Sequence, residues 1–255
     1  MARKLSTRKR PNREDKQLKE KKKIESKVFD RYTMLILGGF LNKKIIRSVD
    51  YPIASGKEAV VFRATAGEKF EGEEEHIAIK IYKIETSSFA RMQTYIRGDP
   101  RFLGVGGVKR GIIFAWCRKE FRNLQICKDA EVPAPIPYFF KDNVMLMQFL
   151  GEEGIPDSLL VDVGSDNPEK DCNTLMGYVR KLYDKGFVHA DISEFNILMH
   201  GDVPYLIDMG QGVLLDHPKA EEFMRRDVEN ILRYFRKYGI DKNAEEAIKW
   251  VKGSA

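Results

Sequence analysis

The pattern of apolar and polar positions divides the chain into a strand-rich part and a helical part. Segments 59–66 (AVVFRATA) and 76–83 (HIAIKIYK) are rich in β-branched and aromatic residues, and the charged stretch GEKFEGEEE separates them as a turn. This arrangement predicts an antiparallel sheet between residues 49 and 82. The apolar segment 143–150 (NVMLMQFL), which a glycine follows, predicts another buried strand.

Apolar residues at helical spacing flank these strands. A first helix is expected at 26–47, interrupted at Gly38 and Gly39, and an amphipathic helix is expected at 113–130. Further helices are predicted at 171–186, 218–239 and 241–253. Residues 84–110 contain the glycine-rich stretch RGDPRFLGVGG, which predicts a long, irregular and flexible insertion.

The order of these elements predicts an α+β fold in two lobes, with ligands bound in the cleft between them. Residues 26–147 would form an N-terminal helix and the N-lobe, and residues 148–255 would form the hinge and the C-lobe. Residues 1–25 would be a basic, flexible arm.

The composition favours a reduced, cytoplasmic protein with a substantial core. Hydrophobic residues make up 43% of the 255 residues, and the three cysteines form no CxxC pair, so neither a zinc site nor a disulfide framework is indicated. The apolar runs are too short to span a membrane. The basic N-terminus has no apolar stretch behind it and does not resemble a secretory signal.

The positive charge of the chain is concentrated at one end. Residues 1–23 contain eleven Lys or Arg and three Asp or Glu, whereas the remainder is nearly neutral, with 33 basic and 35 acidic residues. A phosphate polyanion is the natural partner of such a segment, because binding it releases counterions. A merely solubilising arm is the alternative.

Three features of the strand-rich part could bind a nucleotide. The stretch SGKEAVVF contains Gly56, which would let backbone amides approach a phosphate, although an ordinary hairpin turn fits as well. Lys80 in IAIK matches a lysine motif that grips nucleotide phosphates; the alternative is a solvated edge-strand lysine, as we expect for Lys83. Glu120, on the helix at 113–130, could pair with Lys80; the alternative is a solvated helix charge, as we expect for the adjacent Lys119.

Two features of the helical part could carry the chemistry. In HADISEFN, Asp191 and Asn196 are five residues apart on one tight loop, a spacing at which the aspartate can orient a hydroxyl proton and the asparagine can bind a divalent cation. His189 is expected to brace this loop by hydrogen bonds. Asp208 ends an apolar run in YLIDMGQG, twelve residues after Asn196, which suits a second metal ligand.

These motifs, in this order, resemble the RIO family of atypical serine/threonine protein kinases. The similarity is carried by SGKEAVVF, IAIKIYK, KEFRNL, HADISEFNIL, YLIDMGQG and DHPKAEEFMRRDVENI, and it covers about residues 30–240. Within the family, GKEA, ADISEFN and DMGQGV resemble the type-one branch. The short stretches before and after the kinase-like region suit an archaeal member, without the winged-helix domain of the type-two branch.

The resemblance implies a protein-kinase-like fold whose N-lobe has an antiparallel sheet and one key helix, and whose cofactors are ATP and Mg²⁺ or Mn²⁺. Lys80 would hold the phosphates and pair with Glu120, Asp191 would be the catalytic aspartate, and Asn196 and Asp208 would bind the metal. Asp208 is also a candidate nucleophile that becomes transiently phosphorylated. The remaining nucleotide-binding residues would be Ser55, Gly56, Lys57, Val60, Met147, Gln148 and Leu150.

Two departures concern the phosphate contacts: Ala54 lacks a hydroxyl that the family commonly has, and Gly210 stands where serine is common. The helix at 218–239 also follows Asp208 closely, so the C-lobe is expected to lack an activation segment and peptide-binding helices.

The family association implies autophosphorylation and ATP hydrolysis during maturation of the small ribosomal subunit, with precursor rRNA bound by the basic arm. Two alternatives remain: a small-molecule phosphotransferase of the aminoglycoside or choline kinase type, and a catalytically weak, RNA-bound scaffold.

Overall fold

A five-stranded antiparallel sheet forms the N-lobe of the computed structural model, which describes residues 29–84, 89–102 and 108–253. The strand order is β1-β2-β3-β5-β4. The strands are β1 (Ile46–Ser55), β2 (Ala59–Ala66), β3 (His76–Tyr82), β4 (Pro137–Lys141) and β5 (Val144–Gln148). Strand β3 lies in the middle, where Lys80 is paired with Val61 of β2 and Met145 of β5. The predicted sheet is therefore confirmed, and Lys80 is on its central strand.

Helix α1 (Arg31–Asn42) covers one face of this sheet. Its N-terminus is capped by Asp30, whose carboxylate accepts a hydrogen bond of 2.7 Å from the amide of Thr33. The helix is shorter than predicted, because the chain enters β1 at Ile46, and the expected break at Gly38 and Gly39 is absent. Buried side chains on either side of the glycines anchor the helix to the sheet core; they are Ile36, Leu37 and Phe40.

The described part of the predicted insertion is folded. Residues Phe89–Ile96 form helix α2, and Pro100–Phe102 form a 3₁₀ turn. The side chains of Met92, Tyr95 and Phe102 are buried in the main core, so the expectation of an irregular segment is wrong here. Apolar packing against neighbouring helices supplies order that the glycine-rich composition did not suggest. Residues 85–88 and 103–107 of the insertion lie outside the described residues.

Helix α3 (Lys109–Asp129) links the two lobes. It begins four residues before the predicted start at 113, and its predicted existence is confirmed. Its buried residues Trp116, Cys117 and Leu124 belong to the core that continues into the C-lobe through Leu175 and Phe223. This helix therefore packs behind the cleft and can position groups on both sides of it.

The C-lobe consists of helices and short strands. The helices are α4 (Leu160–Val163), α5 (Pro168–Asp184), α6 (Ala220–Phe235) and α7 (Ala244–Val251). The strands are β6 (Gly151–Glu152), β7 (Ile155–Pro156), β8 (Ser158–Leu159), β9 (Phe187–Val188), β10 (Ile197–His200), β11 (Val203–Leu206) and β12 (Val213–Leu214). The three helices predicted here are confirmed with shifted bounds. Across the described ranges, we find no helix with the length and apolarity needed to cross a membrane.

Candidate active site

A cleft of about 1340 Å³ lies between the lobes, and residues from both lobes line it. All but one of the predicted site residues line this cleft. They are Ser55, Gly56, Lys57, Lys80, Glu120, Met147, Gln148, Leu150, Asp191, Asn196 and Asp208. The exception is Val60, whose buried side chain packs in the core beneath α1, while Val61 faces the cleft. Because side chains alternate along a strand, a shift of one residue moves a contact to the opposite face.

The N-lobe side of the cleft is organised around Lys80. Its ammonium nitrogen lies 2.7 Å from Glu120 Oε1 and 3.0 Å from Asp208 Oδ1, so the predicted pairing with Glu120 is present. Burial alone would lower the pKa of Lys80, but the carboxylates of Asp208 and Glu120 raise it above its ordinary value. Lys80 is therefore a buried cation between one helix and one turn, charged at neutral pH.

The loop between β1 and β2 lines the cleft. The amide of Gly56 donates to the carbonyl of Ala59 at 2.9 Å, which closes a tight turn. Lys83 Nζ donates to the carbonyl of Gly56 at 2.6 Å, and its side chain is buried against the cleft. The expectation that Lys83 points to water is therefore wrong: this lysine fastens the loop to the end of β3.

The hinge combines an apolar surface with backbone polar groups. Met147 of β5 is paired with Ala78 of β3, and both line the cleft. The amide of Gln148 donates to the carbonyl of Ile136 at 2.8 Å, and the side chain of Gln148 accepts from the amide of Ile136 at 3.3 Å. The connection between the lobes is thus held to the segment before β4, while Leu150 is buried beside it.

The loop that carries Asp191 is held by α6. Asp227, which is buried, accepts hydrogen bonds from the amides of Ala190 at 2.7 Å and Ile192 at 2.9 Å. Arg226 donates to the carbonyl of Ala190, a residue in the left-handed conformation with φ of 68°. Backbone strain of this kind persists only where the surroundings enforce it. The support from α6 therefore fixes the residue immediately before Asp191.

Within this loop, Asn196 also holds Asp191. The Asn196 amide donates to the carbonyl of Asp191 at 2.9 Å and to its carboxylate Oδ2 at 3.1 Å. His189 Nε2 lies 3.2 Å from the carbonyl of Ile207, which agrees with its predicted bracing role. Burial lowers the pKa of His189 to about 4, so its ring is neutral at pH 7.

The turn that follows Asp208 is held from behind by α3. Asp208 has a left-handed backbone with φ of 60°, and residues Met209–Gln211 form a 3₁₀ turn. The ammonium of Lys119, buried on α3, donates to the carbonyls of Gly210 and Gly212. The expectation of a solvated Lys119 is therefore wrong, and its true neighbours are carbonyl oxygens distant in sequence.

A second side chain of α3 completes this support. Asn123 donates to the carbonyls of Met209 at 2.7 Å and Gly212 at 3.0 Å, and it accepts from Arg101 at 2.9 Å. Arg101 also pairs with the buried Asp99, so the described part of the insertion contacts this network.

Asn123 and Asp227 were not predicted as functional residues, although both lie on buried helix faces, where polar side chains need partners. Gln211 was not predicted either. This side chain donates from Nε2 to Asp191 Oδ2 at 2.5 Å. The signal available in the sequence was a polar side chain three residues after Asp208, in a stretch that is otherwise glycine and apolar.

The donor set of the cleft suits a divalent cation bound together with phosphates. Asn196 and Asp208 offer amide and carboxylate oxygens, the ligand types that Mg²⁺ prefers. The Asp208 side chain is 47% exposed toward the cleft, so its carboxylate is accessible. Mg²⁺ commonly uses one or two protein carboxylates and takes its other ligands from phosphates and water, which this arrangement allows.

The chain is similar in sequence to proteins named RIO-type serine/threonine-protein kinases. A family model described as the RIO domain matches residues 60–248. The RIO-type serine/threonine-protein kinase Rio1 of Haloferax volcanii is 37% identical over 91% of this chain and 78% of its own length. Rio1 of Methanocaldococcus jannaschii is 38% identical over the same shares. The human serine/threonine-protein kinase RIO1 is 36% identical over 84% of this chain and 38% of its own length.

A solved structure is similar as well. It is the crystal structure of the Rio2 kinase–ADP/Mg²⁺–phosphoaspartate complex from Chaetomium thermophilum, with a TM-score of 0.62 and 22% identity. The alignment covers 84% of this chain and 64% of that one. This similarity confirms the predicted two-lobed, kinase-like α+β fold.

Proposed function

This chain belongs to the RIO domain family and is an atypical serine/threonine protein kinase; from that premise we propose that it transfers the γ-phosphoryl group of ATP with Mg²⁺ or Mn²⁺ bound. One observation carries the proposal: Lys80 contacts both Glu120 and Asp208, at 2.7 and 3.0 Å, in the cleft that Asp191 and Asn196 also line. Protein kinases use this combination of a paired lysine, a catalytic aspartate and metal-binding asparagine and aspartate side chains for phosphoryl transfer.

The N-lobe residues bind and orient the nucleotide. Lys80 holds the α- and β-phosphates, and Glu120 keeps its ammonium in place. The loop at Ser55, Gly56 and Lys57 covers the phosphates with backbone amides and one further cation. The adenine ring lies between the sheet and the C-lobe, where Val61 replaces the predicted Val60 as the contact from β2. Met147, Gln148 and Leu150 form the other edge of the adenine pocket.

The C-lobe residues act on the transferring group. Asp191 accepts or orients the proton of the attacking hydroxyl or water, while Asn196 and Asp208 would hold the divalent cation. The cation, when bound, would neutralise charge on the phosphate oxygens. Arg226 and Asp227 fix the backbone on both sides of Asp191, so its position does not depend on the substrate.

The acceptor is restricted by what lies between Asp208 and α6. Only one 3₁₀ turn, the two-residue strand β12 and a short connection separate Asp208 from Ala220, where α6 begins. An activation segment that positions a peptide does not fit in eleven residues. We therefore propose ATP hydrolysis, autophosphorylation and phosphorylation of a few docked proteins, in place of broad peptide phosphorylation.

Asp208 is a further candidate acceptor. Its carboxylate oxygen would attack the γ-phosphorus, release ADP and form an acyl phosphate, which water would then hydrolyse to phosphate. The related Rio2 structure is described as a phosphoaspartate complex. Brief incubation with γ-labelled ATP should give an acid-stable, hydroxylamine-sensitive label on wild type and none on Asp208→Ala. A label of equal yield on Asp208→Ala would exclude this acceptor.

In the cell, we propose a cytoplasmic role in maturation of the small ribosomal subunit. The support is the charge of the predicted arm at residues 1–25, which lies outside the described residues and whose basic residues suit rRNA phosphates. ATP hydrolysis would then drive release of the protein from a precursor particle, or act as a checkpoint in the maturation of that particle.

The test measures ATP turnover with and without small-subunit precursor particles. We expect metal-dependent turnover that the particles stimulate, that falls at least about 100-fold in Asp208→Ala, and that is unchanged in the exposed Asp202→Ala control. Stimulation by a small alcohol or amino sugar in place of particles would contradict the proposed role. Equal turnover in Asp208→Ala and wild type would overturn the assignment of the site.

A further inference from the structure

One side chain holds the carboxylate of Asp191 from the opposite side to Asn196. Gln211 Nε2 donates to Asp191 Oδ2 at 2.5 Å, and Asn196 Nδ2 donates to the same oxygen at 3.1 Å. A carboxylate held by a single donor can still rotate about its last side-chain bond. Two amide donors on one oxygen, arriving from different segments, fix the plane of the group.

Gln211 is itself held in place before any substrate arrives. It is the last residue of the 3₁₀ turn that follows Asp208, and the residue is only 7% exposed. The carbonyls of the residues on both sides of it, Gly210 and Gly212, accept from the Lys119 ammonium. The backbone of Gln211 therefore has little freedom, and its amide is directed at Asp191 by the fold.

The orientation of this amide carries a cost. Gln211 Oε1 is buried and has no hydrogen-bond partner among the described residues. Reversing the amide would place Oε1 against the Asp191 carboxylate, so no orientation satisfies both ends. A buried, unsatisfied carbonyl costs about 1–3 kcal/mol, which a methionine of similar size would avoid. A polar group kept at such a cost calls for a role other than stability.

We propose that Gln211 is a positioning residue for phosphoryl transfer. Its N–H group holds Asp191 Oδ2, so that the carboxylate meets the acceptor hydroxyl or water in one orientation. The proposal rests on the function proposed above, since it assigns Gln211 a part in that reaction. The hydrogen bond from Gln211 also links Asp191 to the turn that follows Asp208. The proton-accepting and metal-binding residues therefore keep a fixed distance and orientation relative to each other.

The main test is Gln211→Met, which keeps the volume and removes both the donor and the unsatisfied carbonyl. We expect the kcat of ATP turnover to fall about 10- to 100-fold, with KM for ATP within about 2-fold of wild type. The thermal midpoint should equal or exceed that of wild type. The matched control is Gln125→Met, on the exposed face of α3, which should leave kcat and KM unchanged.

A second variant, Gln211→Glu, probes the donor itself. An ionised glutamate cannot donate to Asp191, whereas a protonated one can, so its turnover relative to wild type should rise as the pH falls from about 8 to about 5.5. A Gln211→Met kcat within about 2-fold of wild type, or a Gln211→Glu profile parallel to wild type, would overturn the inference.

These outcomes separate the inference from the function on which it rests. If wild type turns ATP over and Asp208→Ala does not, the proposed function stands whatever Gln211→Met does. If wild type itself lacks ATP turnover, the proposed function and the role of Gln211 are both wrong.

Discussion

Strand β3 and helix α3 each carry a buried lysine, Lys80 and Lys119, and the two side chains are held by different partners. The ammonium of Lys80 lies between the carboxylates of Glu120 and Asp208. Both partners border the cleft, and the negative charge around Lys80 raises its pKa although burial opposes the charged form. This lysine therefore keeps its charge and faces the cleft.

Lys119 has carbonyl oxygens as its hydrogen-bond partners. Burial, and after it the charge of Arg101, lowers the pKa of Lys119 to about 7, with Asp99 acting in the opposite direction. Its ammonium does not line the cleft and instead caps the carbonyls of Gly210 and Gly212. The two buried lysines therefore differ in use: Lys80 faces the cleft, and Lys119 holds the backbone of the turn that follows Asp208.

The largest expected effect is at Lys80, the lysine that faces the cleft. Lys80→Met should reduce ATP turnover at least about 100-fold, because the phosphates lose their buried cation. It should also destabilise the fold by about 3 kcal/mol, since Glu120 is left buried without its partner. Turnover assays and denaturant unfolding measure the two effects.

The double variant Lys80→Met/Glu120→Gln should recover most of the stability and none of the turnover. The exposed Lys69→Met is the matched control and should change neither quantity. Recovery of turnover in the double variant would show that Lys80 acts only through stability.

An intermediate effect is expected at Asp227, which supports the Asp191 loop as Lys119 supports the turn. Asp227→Asn keeps the shape of the side chain but places its NH₂ group, a donor, opposite one of the two backbone N–H groups that Asp227 accepts from. The lost hydrogen bond should lower the free energy of unfolding by about 1–3 kcal/mol. Displacement of Asp191 should lower kcat about 10-fold. The exposed Asp184→Asn is the control. Unchanged kcat with lowered stability would mean that the loop keeps its shape without α6.

The smallest effect on activity is expected at Lys119, where the consequence is a pH-dependent stability. Its pKa is about 7 in the folded protein and 10.5 in the unfolded one, so the unfolded chain binds more protons between these values. Wild-type stability should therefore rise with pH from about 7 to about 10 relative to Lys119→Met, by about 2–4 kcal/mol.

Above about pH 10, where Lys119 is neutral in the folded and the unfolded chain, Lys119→Met should be about 1–2 kcal/mol less stable than wild type, because the carbonyls of Gly210 and Gly212 lose their donor. Unfolding midpoints measured across this pH range test both expectations. The neighbouring, exposed Arg118→Met should follow the wild-type curve, and equal curves for all three proteins would contradict the buried position of Lys119.

The site residues on regular elements and tight loops were accessible from sequence. Lys80 is recognisable because a lysine is exceptional within a β-branched run, and Asp191 and Asn196 because their spacing fits one short loop. On β2, Val60 was predicted to line the cleft, but Val61 does so and Val60 packs in the core. The alternating pattern gives the period of a strand, but it does not show which face of the strand lines the cleft. The folded part of the insertion was missed because its order comes from packing with distant helices.

The sequence by itself determined the order of elements, the two-lobed α+β fold and the identity of the groups that could carry phosphoryl transfer. These depend on local periodicity and on spacings of a few residues. Only the tertiary structure decided the supporting contacts: Lys119 with Gly210 is separated by 91 residues and Asp227 with Ala190 by 37. The sequence does not show whether a charged side chain on a helix, such as Lys119, is solvated or bonded to a distant carbonyl. That depends on burial, which is a property of the packed chain.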